Sequence, residues 1–215
     1  MNMQTGKSAQ KHALVKLAVV LLLGVSAGAG LFIATLRSSQ DKPAAVANAG
    51  ITADDLQGLM DQHETAFDSA TLQGRYAVLY FGFTLCPDAC PTALYNLTLA
   101  LQQLDPDGKR IQPVFVSVDP ARDTPTQLAN YLSHFSEHII GLTGPLQSVQ
   151  LVEQSFGVIA LEHRDESLSG GYTMDHSNEF LLLSPTGKLL MRLPAEQPAD
   201  ALLEQLKKLT KAETV

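Results

Sequence analysis

The chain has 215 residues, 45% of them hydrophobic, two cysteines and a formal net charge of -7, which allows one globular domain with a sizeable core beside a targeting segment. The charge is uneven: residues 1–42 hold Lys7, Lys11, Lys16, Arg37 and Lys42 against Asp41 alone, whereas the remainder has 10 basic and 21 acidic side chains, a balance of -11. A domain that acidic repels a phosphate backbone, which excludes nucleic-acid binding.

Leu17 to Leu36 runs for 20 residues without a charged side chain, close to the roughly 20 that cross a hydrocarbon core of about 30 Å. Lys7, Lys11 and Lys16 precede it, so the positive-inside rule keeps residues 1–16 cytoplasmic and exports the chain beyond the apolar run. A cleaved signal peptide is the competing reading, with Leu14 to Val25 as its apolar stretch and Ala27-Gly28-Ala29 as the small residues for cleavage. Leu31, Phe32 and Ile33 prolong the apolar run and favour a retained transmembrane helix over residues 17–36. Residues 37–53 are small, polar and proline-containing and read as a linker, and residues 54–215 as the folded domain.

In the domain, Thr71-Leu72-Gln73-Gly74 marks a turn before Arg75 to Phe83, an apolar run that predicts a buried strand. Pro91 to Leu104 carries apolar residues at helical spacing, and both cysteines, Cys86 and Cys90, lie at the joint. A helix N-terminus presents unpaired N–H groups and a positive dipole end, so a cysteine held there ionises more easily to thiolate, the reactive and metal-binding form. Four residues apart on a turn or helix, the two sulfurs share one side and could close a disulfide or grip one soft metal ion. An exported domain favours disulfides, but a loop this short gains only about 2 kcal/mol from closure. A redox or metal role is therefore expected of the pair.

Asp105-Pro106-Asp107-Gly108 signals a turn, Ile111 to Val118 a strand, and Asp119 to Pro125 a loop in which Asp123 or Thr124 caps a helix running to about Phe135. A strand is expected at Ile139 to Leu142, a helix at Pro145 to Phe156, and strands at Val158 to Glu162 and Glu179 to Leu183 around a polar loop. Lys188 to Leu193 reads as a strand and Ala199 to Lys211 as a closing amphipathic helix. This order predicts an α/β sandwich with a central mixed sheet flanked by helices. A cysteine pair at the end of the first core strand points to a thioredoxin-like fold, although three residues separate these cysteines rather than two.

Soft Cu(I) prefers thiolate and accepts imidazole, so the six histidines are weighed as a further ligand. His12 precedes the transmembrane stretch, His63 and His163 lie in charged stretches, and His134 and His138 read as surface residues near a helix end. His176, in Tyr172-Thr173-Met174-Asp175-His176-Ser177, immediately precedes an apolar strand in the region where a thioredoxin-like chain returns beside its cysteine turn. Spacing alone leaves two readings of it: a ligand, or a hydrogen-bonded histidine beside Asp175.

The domain from about Leu72 onward resembles the Sco/SenC family of copper-binding assembly proteins for cytochrome oxidase. The resemblance runs through Tyr80-Phe81-Gly82-Phe83-Thr84, Cys86-Pro87-Asp88-Ala89-Cys90-Pro91, Val118-Asp119-Pro120 with Arg122-Asp123-Thr124, Gly141-Leu142-Thr143-Gly144 and Asp175-His176-Ser177. It implies a membrane-tethered thioredoxin-like domain on the extracytoplasmic, periplasmic face of the inner membrane. Carried over by position, Cys86, Cys90 and His176 bind copper, as Cu(I) in the first place with Cu(II) left open, and Cys86 and Cys90 form a redox-active pair. The expected partners are cytochrome c oxidase subunit II, a copper donor and a thiol reductant. Two activities fit: a metallochaperone for the dinuclear copper centre of subunit II, or a thiol-disulfide oxidoreductase acting on that target's cysteines. Leu85 stands where many members have histidine, and Asn178-Glu179 is more polar than the apolar pair often found there.

Overall fold

The computed structural model describes residues 50–168 and 170–212; the expected cytoplasmic segment, transmembrane helix and residues 37–49 of the linker lie outside the described residues. No helix among the described residues is long and apolar enough to cross a membrane. The chain enters through a single 3-10 turn, Ala53–Leu56, where Asp55 accepts a hydrogen bond from the Thr52 backbone N–H (2.8 Å). A two-residue strand, β1 (Met60–Asp61), comes after it.

Tyr76 to Gly82 has no charged side chain and forms β2, buried at every position. Seven successive buried residues need cover on both faces and partners on both edges, which places β2 in the middle of a sheet. Helix α1 (Ala89–Leu104) comes next, then β3 (Ile111–Ser117), α2 (Pro125–Leu132), β4 (Ile140–Thr143) and α3 (Leu146–Phe156). Beyond them lie β5 (Ala160–Arg164), β6 (Tyr172–His176), β7 (Glu179–Leu183), β8 (Leu189–Pro194) and α4 (Ala199–Ala212).

Six strands form one sheet in the order β1-β4-β3-β2-β7-β8. β2, β3 and β4 are parallel, with Tyr76 opposite Ile111 and Gly82 opposite Ser117, while β7 and β8 add antiparallel strands. The expected central mixed sheet is thus present. β5 and β6 form a separate antiparallel pair with Ala160 opposite His176.

Several boundaries differ from the expected ones. α1 starts at Ala89 rather than Pro91, so Cys90 lies inside its first turn. α2 stops at Leu132, short of Phe135, and His134 and His138 therefore do not share a helix face. The cap of α2 is Thr124, whose hydroxyl accepts from the Gln127 N–H (3.3 Å), while Asp123 turns inward. The polar loop expected before Glu179 contains the strand β6, which pairs with β5.

Candidate metal centre

The cysteine turn is built where β2 ends. Phe81 and Phe83 are buried, and the fully buried Asp123 carboxylate reaches across from the loop after β3 to hold the chain between them and α1. Asp123 accepts from the Thr84 hydroxyl (2.5 Å), from the Thr84 N–H (3.2 Å) and from the Ser117 hydroxyl (2.7 Å). Burial pushes the Asp123 carboxyl up, and the Thr84 and Ser117 donors oppose that shift. Gly82 is required here by space: a Cβ at this position would stand 3.0 Å from both Cys90 Sγ and the Phe115 ring.

Both cysteines are free thiols, Cys90 fully buried and Cys86 half-buried. The Cys90 backbone N–H donates to Cys86 Sγ at 3.3 Å, so Cys86 supplies the acceptor that the first turn of α1 lacks. The side-chain hydrogen bond from Cys90 lowers the Cys86 thiol to about 4 against the cost of its burial, with further help from His176 and the Cys90 backbone. Cys90 shifts the opposite way: its hydrogen bond to Cys86, then burial, then the negative charge on Cys86 push it up. One sulfur is a thiolate, and the other holds its proton.

His176 is the last residue of β6 and stands with Nε2 3.3 Å from Cys90 Sγ. Its Nδ1 lies 3.1 Å from the Ser177 carbonyl oxygen. A carbonyl only accepts, so Nδ1 donates to it and Nε2 is the nitrogen turned on the thiols, the arrangement that outer partners impose on ligating histidines. The edges of the His176 ring meet Tyr80 (centroids 6.1 Å apart) and Phe83 (5.9 Å). Donor atoms of Cys86, Cys90 and His176 all lie within 4.8 Å of one another. Two bonds of about 2.0–2.3 Å to one soft ion span nearly that distance. Two sulfurs and an imidazole suit copper(I).

No other strand of the six-stranded sheet pairs with the hairpin that carries His176. A clamp joins it to the loop after β3 instead. The Arg122 guanidinium lies 3.7 Å from the Tyr172 ring centroid, ion-pairs with the buried Asp119, and donates to the Tyr172 carbonyl (2.9 Å). The Tyr172 hydroxyl closes the ring by donating to Asp119 (2.9 Å). In the sequence Asp119 reads as part of a loop and Asp123 as a candidate helix cap. Their partners lie 39 and 53 positions away, which no local pattern records.

The other described histidines stay apart. His63, His134, His138 and His163 are exposed and belong to no donor cluster, and His12 lies outside the described residues. Leu85, 51% exposed, borders the site without offering a nitrogen. Asn178 accepts from the buried Tyr80 hydroxyl (2.9 Å) and donates to Glu196 (2.9 Å). An open depression of about 390 Å³ above the donors has Asp88, Asp175 and Glu196 on its walls.

Comparison with known proteins gives a consistent result. The family model SCO1/SenC matches residues 54–211. An "SCO2-like protein" of Rickettsia felis is 34% identical over 198 residues, 90% of this chain and 96% of that one. A solved structure, Bradyrhizobium japonicum ScoI with copper bound, is 33% identical with a TM-score of 0.64, covering 71% of this chain and 96% of its own. Yeast Sco1 with copper bound is 32% identical with a TM-score of 0.65, covering 74% and 88%.

Proposed function

The chain belongs to the SCO1/SenC family, and we propose that it is a copper metallochaperone with a thioredoxin-like domain, which holds copper through Cys86, Cys90 and His176. It delivers the ion to the dinuclear copper centre in subunit II of cytochrome c oxidase. The observation that carries this reading is the His176 imidazole, its Nε2 turned on Cys90 Sγ at 3.3 Å by the Nδ1 bond to Ser177. Disulfide exchange needs no such nitrogen. Copper-bound structures of relatives about one-third identical support the choice of ion. In this reading residues 17–36 anchor the chain once in the inner membrane with the domain on the periplasmic side. A copper donor and a thiol reductant serve it there.

The donors dictate how the ion is taken up. The Cys86 thiolate is available at neutral pH, while Cys90 must give up its proton to bind.

A second reading rests on the asymmetry of the thiols. Cys86 is half-buried and ionised, as an attacking group must be; Cys90 is buried and protonated, as a resolving group is. The Cys86 thiolate would attack a target disulfide, forming a mixed disulfide and releasing one target thiolate. Cys90, losing its proton, would then attack Cys86 Sγ, closing the Cys86–Cys90 bond and releasing the second thiolate. Two electrons pass to the target, and a dithiol reductant restores the pair.

The deciding experiment is Cu(I) titration of reduced wild-type and His176→Ala protein under a competing chelator, with X-ray absorption for the donor set. One copper per chain with sulfur and nitrogen donors is expected. In the variant, affinity falls by more than the ~10–100-fold typical of losing an outer-shell partner, while the thiol-disulfide couple still cycles. A folded variant that retains copper like the wild type and supports full oxidase assembly at limiting copper overturns direct delivery through this site and leaves the redox reading.

A further inference from the structure

The end of the sheet opposite the cysteines has its own chemistry. β2 runs from Tyr76 at one end to Gly82 beside the cysteine turn, and seven residues at ~3.3 Å each put roughly 20 Å between the two ends. At the Tyr76 end lies an open trough of about 510 Å³ bordered by Gly74, Tyr76, Leu104 and Pro185, with Lys109, Arg110, Lys207 and Lys211 on its walls. No Asp or Glu lines it. Only 10 basic side chains lie beyond residue 42, in a stretch that carries -11, so four on the walls of one trough mark a pole, with Asp107 and Glu204 standing outside its lining. The opposite mouth, over Cys86, has three carboxylates and no Lys or Arg on its walls.

The chain also enters the domain at this basic end. Ile51 accepts from the Leu189 N–H (3.1 Å) and the Ala53 N–H donates to Gly187 (2.8 Å), on the turn between β7 and β8. Pro185 of that turn lines the trough, and its carbonyl accepts from Gly74 (2.9 Å). Thirteen residues, 37–49, separate the uncharged run 17–36 from the first described residue. Their contour reaches at most roughly 45 Å. A tether this short holds the entry end near any bilayer the run crosses, and at that high effective concentration weak contacts suffice.

We propose that the trough formed by Lys109, Arg110, Lys207 and Lys211 docks on anionic phospholipid headgroups, so that the domain stands on its basic end with the Cys86, Cys90 and His176 mouth turned away from the bilayer. This rests on the reading of residues 17–36 as a membrane anchor. The existing ion pairs of the trough, Lys109 with Asp107 and Lys207 with Glu204, lie at the surface, where such pairs hold weakly and exchange readily for a headgroup phosphate. Docked this way, the acidic mouth also avoids the like-charged lipid surface.

The test uses the full chain in phosphatidylcholine discs and in phosphatidylglycerol discs, with lysine acylation read residue by residue by mass spectrometry. Acylation of Lys109, Lys207 and Lys211 is expected to be slower by about five-fold or more in the anionic discs, the factor that a headgroup contact worth ~1 kcal/mol per cation implies. The difference should vanish near 1 M salt, where the Debye length is about 3 Å. In the variant Lys109→Gln, Arg110→Gln, Lys207→Gln, Lys211→Gln, copper stoichiometry should be unchanged. Equal lysine rates in the two lipids at low salt overturn the proposal, as does equal protection in phosphatidylcholine discs on adding inorganic phosphate. Failure of the anchor is seen separately: an anchored chain sediments with both lipids at any salt, whereas an unanchored one leaves phosphatidylcholine and stays on phosphatidylglycerol only at low salt.

Discussion

The two halves of the donor set are held by different kinds of structure. The cysteine turn continues the central strand β2, buried along its whole length, and is tied through the Thr84 N–H and hydroxyl to the buried Asp123, which Ser117 of β3 also holds. The β5–β6 hairpin shares no ladder with the main sheet, and Leu161 to Arg164 of β5 are exposed. His176 therefore reaches Cys90 through side-chain contacts: the Arg122–Tyr172–Asp119 clamp and the ring edges of Tyr80 and Phe83. Thiol chemistry is preset by the frame, while the third donor arrives on an arm with few ties. Such an arm belongs to the low-stability end of a fold, where local opening costs least. That suits a site that must release its ion. Damage to the frame should thus disturb copper and thiol exchange together, and damage to the arm copper alone.

The largest effect is expected from Cys90→Ser, which removes one donor of the copper set and the resolving thiol at once. Copper retention against a chelator and intramolecular disulfide formation should both be lost. Circular dichroism should show the fold intact, because the substituted atom is similar in size.

Asp123→Ala should come next and also act on both activities. It leaves the Thr84 N–H and hydroxyl and the Ser117 hydroxyl without their buried acceptor, at about 1–3 kcal/mol for a lost buried partner. Urea denaturation should register that loss of stability, and the Cys86 thiolate should become less reactive as the turn loosens. A variant with unchanged thiol reactivity would show that the turn is held without Asp123.

Arg122→Gln separates frame from arm. It removes the stack on Tyr172 and the ion pair to Asp119, which together hold the hairpin to the loop after β3, while on the side of the cysteine turn it removes only the looser approach to the Phe83 ring (5.9 Å). Copper affinity should fall by ~10–100-fold, the range for outer-shell partners, with the midpoint potential of the Cys86–Cys90 couple unchanged. If the potential shifts as far as the affinity, the clamp supports the whole site and the division between frame and arm fails.

The same division decided what could be read from the sequence. Arg75 to Phe83 announced a buried strand because every position is apolar or aromatic after Arg75, and the two cysteines marked its end. The frame, local in sequence, was legible to within two residues. The arm was not: Tyr172-Thr173-Met174-Asp175 alternates apolar with polar side chains over only four residues, the shortest run that signals a strand, and none of the side chains of β6 is buried. His176 was picked out by its place before the apolar β7 and by family resemblance, not by the strand that carries it. Asp123 resembled a cap because helix-start chemistry and buried-acceptor chemistry use the same residue type. Only the tertiary partner Thr84 distinguishes them.

The smallest effect concerns protons and tests the preset state of the frame directly. Cys86 is lowered to about 4 by its hydrogen bond from Cys90, with His176 and the Cys90 backbone adding to the shift, and Cys90 is pushed up by the same hydrogen bond and by burial. An acid whose value is depressed is ionised above that value, so the Cys86 thiolate persists from neutral pH down to about 5 and is lost only as the pH falls through about 4. An ordinary thiol near 8.5 would lose about tenfold of its thiolate per unit over that whole range. Iodoacetamide alkylation of Cys86 in the reduced, metal-free protein should therefore be nearly flat between pH 8 and about 5 and decline below. Copper loading at pH 7 should release about one proton, from Cys90, where two ordinary thiols would release about two; calorimetry in buffers of different ionisation enthalpy counts them. His176→Ala should leave most of the alkylation plateau in place, because the largest lowering contribution comes from Cys90 and remains with the frame. A plateau that collapses to ordinary thiol behaviour in that variant would mean that the arm, and not the cysteine turn, sets the charge on Cys86.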